Sequence, residues 1–140
     1  MNHTGAIERA KEHFAALLSE QLKRIDQMKA EEEWADYSRL MPVVIGVVGG
    51  DGIGPFITKE AVRVLEQILA EEIRSGKVEL RWISGLSIEE RAQAMKALPE
   101  ESLAALKQCH VILKGPLTTP KKGDKWPNLE SANVSMRREL

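Results

Sequence analysis

Only one cysteine, Cys109, is present, which excludes an internal disulfide and a cysteine-built zinc cluster. Its neighbours Val111, Ile112 and Leu113 are apolar and nothing nearby in the chain would lower its pKa, so Cys109 reads as inert packing at a strand entry. No apolar run approaches the roughly 20 residues that span a bilayer. The start, Met1-Asn2-His3-Thr4-Gly5, also lacks the basic-then-apolar layout of a secretory signal. No membrane partner is expected, and a cytoplasmic location is. Neither charge is in excess: Lys+Arg 20 against Asp+Glu 21 leaves a net charge of -1. No general field exists to gather nucleic acid, so none is expected as a partner, and any anion must be caught locally. Internal repeats and low-complexity segments are absent as well. What is there, 140 residues with 43% hydrophobic and 29% charged, suits one ordinary soluble domain with a modest core.

Residues 5 to 38 contain no proline and many helix formers, with Ile7, Phe14, Leu18, Leu22, Ile25 and Met28 recurring at helical spacings. This predicts an amphipathic helix capped by Thr4. Gln21 interrupts the stripe, which argues against a sustained coiled coil and for a helix packed on its own domain or on a partner. Glu31-Glu32-Glu33 suits a solvated exit from the helix, because acidic groups oppose the negative end of its dipole. A boundary near residue 40 therefore separates a helical extension, 1–40, from an α/β part, 41–140.

From Val43 to Val48 a β-branched run predicts a buried strand, followed by a glycine-rich turn at 49–55. Ile57, Ala61, Val64, Leu65, Ile68 and Leu69 give the next segment a helical face, and Gly76 ends it. Val78, Leu80 and Trp82 alternate with Glu79 and Arg81, as a strand with one covered face requires. Ser87 and Glu90 have capping-box spacing before a helix ending near Leu98-Pro99. A short helix through Leu103 and Leu106 leads to a third strand at Val111–Leu113. Strand, helix, strand, helix, strand is the order of an α/β layered fold with a largely parallel sheet.

Three segments carry candidate chemistry. Gly50, Gly52 and Gly54 lie two apart, so the turn fails the G-x-G-x-x-G spacing, and no Lys-Ser/Thr follows to make a P-loop. Taken alone, such a turn is more often a backbone device than a binding site. Lys114-Gly115-Pro116-Leu117-Thr118-Thr119-Pro120 follows the third strand, on the same edge of the sheet, and offers a cation and two hydroxyls. A lysine at a strand end is also commonly just solvated. Ser131, Asn133 and Arg137 fall around the first turn and a half of a helix that Ser131 would cap, an arrangement suited to a polycarboxylate or phosphate. A capped surface helix with an exposed Arg137-Arg138 pair accounts for the same residues equally well.

Taken together, Gly-Asp-Gly-Ile-Gly-Pro at 50–55, Lys-Gly-Pro-Leu-Thr-Thr-Pro at 114–120 and Ser-x-Asn-x-x-x-Arg-Arg-Glu-Leu at 131–140 resemble the isocitrate/isopropylmalate dehydrogenase family. The order and separation of the three are more specific than any one of them, and the resemblance covers about residues 41 to 140. The Ser-x-Asn pair favours the isocitrate branch over 3-isopropylmalate. The resemblance implies a partial isopropylmalate dehydrogenase-like layered fold, a cleft between two domains and a homodimer. It implies that Lys114, Ser131, Asn133 and Arg137 contact a 2-hydroxy acid substrate and that Thr118 and Thr119 face the NAD or NADP cofactor. Arg138 would serve in the cleft or in a salt link, and Asp51 would hold its turn.

The implied reaction is oxidation of a 2-hydroxy acid by NAD(P), then loss of the β-carboxylate as CO₂, with Mg²⁺ or Mn²⁺ steadying the enolate. The metal ligands and catalytic residues of the family have no counterpart here, so the chain is expected to be an incomplete portion, inactive until a complementary carboxyl-terminal chain supplies them. By the same resemblance the loop from Pro120 to Ser131 is longer than in many relatives, and Met136 stands where Leu is usual. A different reading makes the chain a non-catalytic interaction or regulatory module whose leading helix binds a partner. Exposed sheet edges would leave it poorly stable.

Overall fold

A computed structural model describes residues 3–30 and 36–140 and divides the chain into two compact units, 1–36 and 37–140. The first holds one helix, α1 (Thr4–Ala30), in which no residue is buried. Its first intrahelical bond runs from the Ile7 N–H to the His3 carbonyl, 3.1 Å. Thr4 is thus already inside the helix, and the expected cap shifts to His3. Ile7, Phe14, Leu18, Leu22, Ile25 and Met28 are all exposed, so the stripe that drives the helical periodicity has no covering partner within its own unit. Glu31 to Glu33, the expected helix exit, lie outside the described residues.

The second unit begins with a single 3-10 turn at Tyr37–Arg39, where the sequence suggests continued α-helix. Three strands follow, β1 (Val43–Val48), β2 (Val78–Trp82) and β3 (Val111–Lys114), in one sheet of order β2-β1-β3. Both pairings are parallel, as the alternation of strands and helices requires. β1 is the central strand and the best buried, with Val44, Val47 and Val48 in the core. Its Gly46 leaves room for Cys109: a Cβ there would lie 2.7 Å from the thiol sulfur.

Helix α2 (Gly54–Ile68) starts with a proline in its first turn, where the missing N–H costs nothing. It breaks at Leu69 and resumes as α3 (Ala70–Arg74), and Gly76 at φ +73 closes the passage. The packed face is set by Thr58 and Val62, whereas Ile57, Val64 and Ile68 are exposed, so the expected apolar face is only partly the buried one. On β2, Trp82 is likewise exposed rather than covered.

Helix α4 (Ile88–Ala94) begins with a complete capping box between Ser87 and Glu90. It ends earlier than Leu98, because Met95 adopts a left-handed conformation at φ 52 and the Lys96 N–H turns back to the Arg91 carbonyl at 3.2 Å. α5 (Glu100–Leu106) and α6 (Ala132–Glu139) complete the order. One core cluster of Val48, Ile83, Leu86, Leu106, Leu117, Ala132 and Met136 joins the end of β1 to the strap after β3 and to α6. No helix among the described residues is long and apolar enough to cross a membrane.

Candidate functional site

The glycine turn and the strap that begins at Lys114 meet at the carboxyl ends of β1 and β3. Val48 is in register with Lys114, and the Gly115 N–H donates to the Val48 carbonyl at 2.8 Å, extending the ladder by one bond. The chain after Gly115 then crosses the turn after β1. The Asp51 N–H donates to the Pro116 carbonyl at 2.7 Å, and the Thr58 hydroxyl donates to the Gly49 carbonyl at 3.2 Å. Contact is backbone against backbone: a Cβ on Gly50 would run into the Pro116 carbonyl oxygen, and one on Gly115 into that of Gly49. With Gly50 also at φ +81, glycine serves close approach and turn geometry here. The turn is therefore the backing of the strap.

Asp51 fastens the assembly. It is buried at 8% exposure. Its carboxylate accepts the Ile88 N–H on one oxygen at 2.6 Å and the Thr118 N–H on the other at 2.6 Å. The second oxygen also faces the Arg91 guanidinium at 3.1 Å. The structural role suggested for Asp51 is thus what the geometry displays, and its reach is wider than its own turn, since it ties α4 and the strap to β1.

Arg91 was not anticipated. It is fully buried, donates through Nε to the Leu86 carbonyl at 3.0 Å, and shares Nη2 between Asp51 and the Thr118 carbonyl at 2.8 Å. An arginine inside a charged run, Glu89-Glu90-Arg91, carries no signal of burial in a single sequence.

The residues singled out above lie at the end of β3, on the strap and on α6. Lys114 ends β3 instead of following it, is exposed, and rests its ammonium on the Gly115 carbonyl at 3.0 Å. An ammonium has three donors, so others remain for an anion. Thr118 and Thr119 are exposed on the strap. Ser131 stands at the N-cap of α6 but makes no side-chain cap bond. Its carbonyl accepts the Ser135 N–H at 3.0 Å. Ala132, Ser135 and Met136 form the buried face of α6, which leaves Asn133 and Arg137, one turn apart, together on one flank. The Asn133 Oδ1 atom is buried without a hydrogen-bond partner among the described residues, and Arg137 is exposed. Arg138 makes the salt link suggested for it, to Glu139 at 3.0 Å. Because Leu117 packs in the same cluster as Ala132 and Met136, strap and α6 are anchored on one core.

The electrostatic surroundings are simple. Glu90 is held below the usual carboxylate range by hydrogen bonds from the Ser87 hydroxyl and backbone, with the Gly85 N–H adding to them. Burial pushes the Cys109 thiol up, in keeping with an inert role. Among the described residues no group of three His, Cys, Asp or Glu side chains is placed to hold a metal ion. Asp51 is already committed to its own partners. A cleft of about 630 Å³ lies elsewhere, between β2, α4 and α5, lined by Trp82, Glu90, Lys96, Glu101 and Ser102 among others, and contains none of the candidate residues.

The chain is similar to known dehydrogenases. The isocitrate dehydrogenase [NADP] of Staphylococcus epidermidis is 36% identical over 98 residues, 69% of this chain and 22% of that protein. That of Pseudomonas aeruginosa is 32% identical over 111 residues, 76% of this chain and 25% of that one. The 3-isopropylmalate dehydrogenase of Carboxydothermus hydrogenoformans is 41% identical over 88 residues, 63% and 22% respectively. The chain thus spans about a quarter or less of the length of these relatives. The family model for isocitrate/isopropylmalate dehydrogenase matches residues 44–140, nearly the whole second unit, and the chain belongs to that family.

Proposed function

We propose that the rim built by the end of β3, the strap and α6 binds the carboxylates of an isocitrate-type 2-hydroxy acid, for NADP-dependent oxidation followed by decarboxylation. One observation carries this reading: the Lys114 strap and the Asn133–Arg137 helix are seated on a single core cluster at the carboxyl edge of a parallel sheet. Ligands of such sheets approach from that edge. In this proposal Arg137 and Lys114 offset the carboxylate charges, Arg137 through a planar guanidinium able to bind one carboxylate at two points. Ser131 and Asn133 orient the substrate at the start of α6, where the helix dipole favours an anion.

The hydride leaves the hydroxyl-bearing carbon for the nicotinamide as the hydroxyl proton passes to a base that the complementary chain would supply, and the resulting ketone permits loss of the β-carboxylate as CO₂, with a proton taken up at the carbon it leaves. Bound NADP supplies the hydride acceptor. Thr118 and Thr119 suit that neighbour through their side chains, because the Thr118 N–H and carbonyl are already engaged by Asp51 and Arg91. The described residues do not form a seat for Mg²⁺ or Mn²⁺. The remaining groups of the reaction are proposed to come from a complementary chain or a second subunit, in the cytoplasm.

The relatives named for NADP and the Ser-x-Asn pair favour isocitrate, while the similarity to a 3-isopropylmalate dehydrogenase keeps that substrate as the comparison to run. Adding the chain to a complementary carboxyl-terminal polypeptide with NADP, Mg²⁺ and each acid in turn should raise absorbance of the reduced nicotinamide with isocitrate. No signal with either acid would contradict the proposal. A second reading, an interaction module, is favoured by the exposed stripe of α1. Deleting residues 1–40 separates the two, since a pull-down partner lost on deletion supports the module.

A further inference from the structure

We propose that Arg91, acting with Asp51, is a positioning residue for the dinucleotide, because the pair clamps the Thr118 backbone at both its N–H and its carbonyl. The inference rests on the dehydrogenase reading and deepens it.

The strap is pinned at successive points. Gly115 is held by the Val48 carbonyl, Pro116 by the Asp51 N–H, and the Thr118 N–H by the Asp51 carboxylate. All three come from β1 and its turn. The last point, from the Arg91 guanidinium to the Thr118 carbonyl, comes from α4 and is the final fixed bond before Thr119. α4 is itself oriented by the Asp51 bond to the Ile88 N–H and by the capping box. The backbone that carries the Thr118 and Thr119 hydroxyls is therefore held from two sides, by Asp51 of the β1 turn and by the buried Arg91 guanidinium of α4.

Stability alone does not account for that group. Burying an ion pair is often no better than packing apolar side chains of similar size. Arg91 also leaves its Nη1 atom buried with no acceptor among the described residues, a cost that an apolar side chain would avoid. What the guanidinium supplies instead is geometry: a rigid fork that reaches Leu86, Asp51 and Thr118 at once, which the single ammonium of lysine does not reproduce.

The test compares wild type, Arg91→Lys, and the uncharged pair Asp51→Asn/Arg91→Met, which keeps the volume and removes both charges should the lysine variant fail to fold. Affinities for NADP and for isocitrate are measured separately in the presence of the complementary polypeptide, with amide exchange at Thr118. The clamp predicts NADP binding weaker by about tenfold, since displacements near 1 Å carry effects of that order or more. Isocitrate binding should stay within about twofold of wild type, and Thr118 exchange should accelerate. Equal loss for both ligands, or no change in NADP affinity, overturns the positioning role while leaving the dehydrogenase reading intact. A wild-type protein that binds neither ligand overturns both.

Discussion

Asp51 ties α4 and the strap to the turn after β1, and the reason is chemical. A carboxylate below the surface accepts two backbone N–H groups and a guanidinium from two segments, α4 and the strap. Removing one member of a buried ion pair leaves the other uncompensated, so Asp51→Ala should lower stability by about 3–5 kcal/mol. Urea unfolding of the variant beside wild type measures this, and a loss under 1 kcal/mol would show the pair to be dispensable. Gly115 is a second sensitive point: a methyl group there meets the Gly49 carbonyl and the Thr58 hydroxyl. Gly115→Ala should cost about 1–3 kcal/mol through the forced backbone shift, readable as a lower melting temperature. The motif containing Asp51 was visible in the chain, and so was its turn-holding role. Arg91 was not, because burial of an arginine in a charged stretch is a property of what folds over it.

At the scale of elements, α4 shows what local pattern can and cannot disclose. Its start was legible, since Ser87 and Glu90 satisfy each other's backbone N–H groups and a gap of three residues is a sequence signature. Ser87→Ala should cost about 1 kcal/mol. Glu90 adds a pH dependence whose sign follows from its lowered pKa. Its contribution is fully present above the ordinary carboxylate value of about 4.3 and is lost as pH falls through the lower folded value. Glu90→Gln should therefore be less stable than wild type at pH near 7 and indistinguishable from it in strong acid, by urea unfolding at both. The end of α4 was not legible, because the left-handed position that stops it is filled by Met95 where glycine would have announced it. The faces of α2 and β2 were misjudged for a related reason. Ile57, Val64, Ile68 and Trp82 fit the periodicity, yet they remain exposed.

For the molecule as a whole, class and strand direction followed from the alternation of apolar runs, and the parallel sheet of order β2-β1-β3 bears this out. The outer strands each pair on one side only, so amide exchange should be slow in β1 and faster along the outer edges of β2 and β3. Uniform, strong protection across all three would contradict the poor stability expected of so small a sheet. Charge is also unevenly placed. Residues 114–140 hold six Lys or Arg against three Asp or Glu, although the full chain is net -1. An anion attracted to this rim is drawn by local charge, and its binding should weaken as salt shortens the range of the attraction.

The central claim is that Lys114, Asn133 and Arg137 serve one carboxylate-binding rim. The most direct measurement is a titration of the isotopically labelled protein with isocitrate, following backbone and side-chain resonances, in the presence of the complementary polypeptide. The account predicts saturable shifts concentrated at these three residues and at Ser131, reduced by Arg137→Gln. Shifts confined to the cleft around Trp82 and Ser102, or none that saturate, would contradict it.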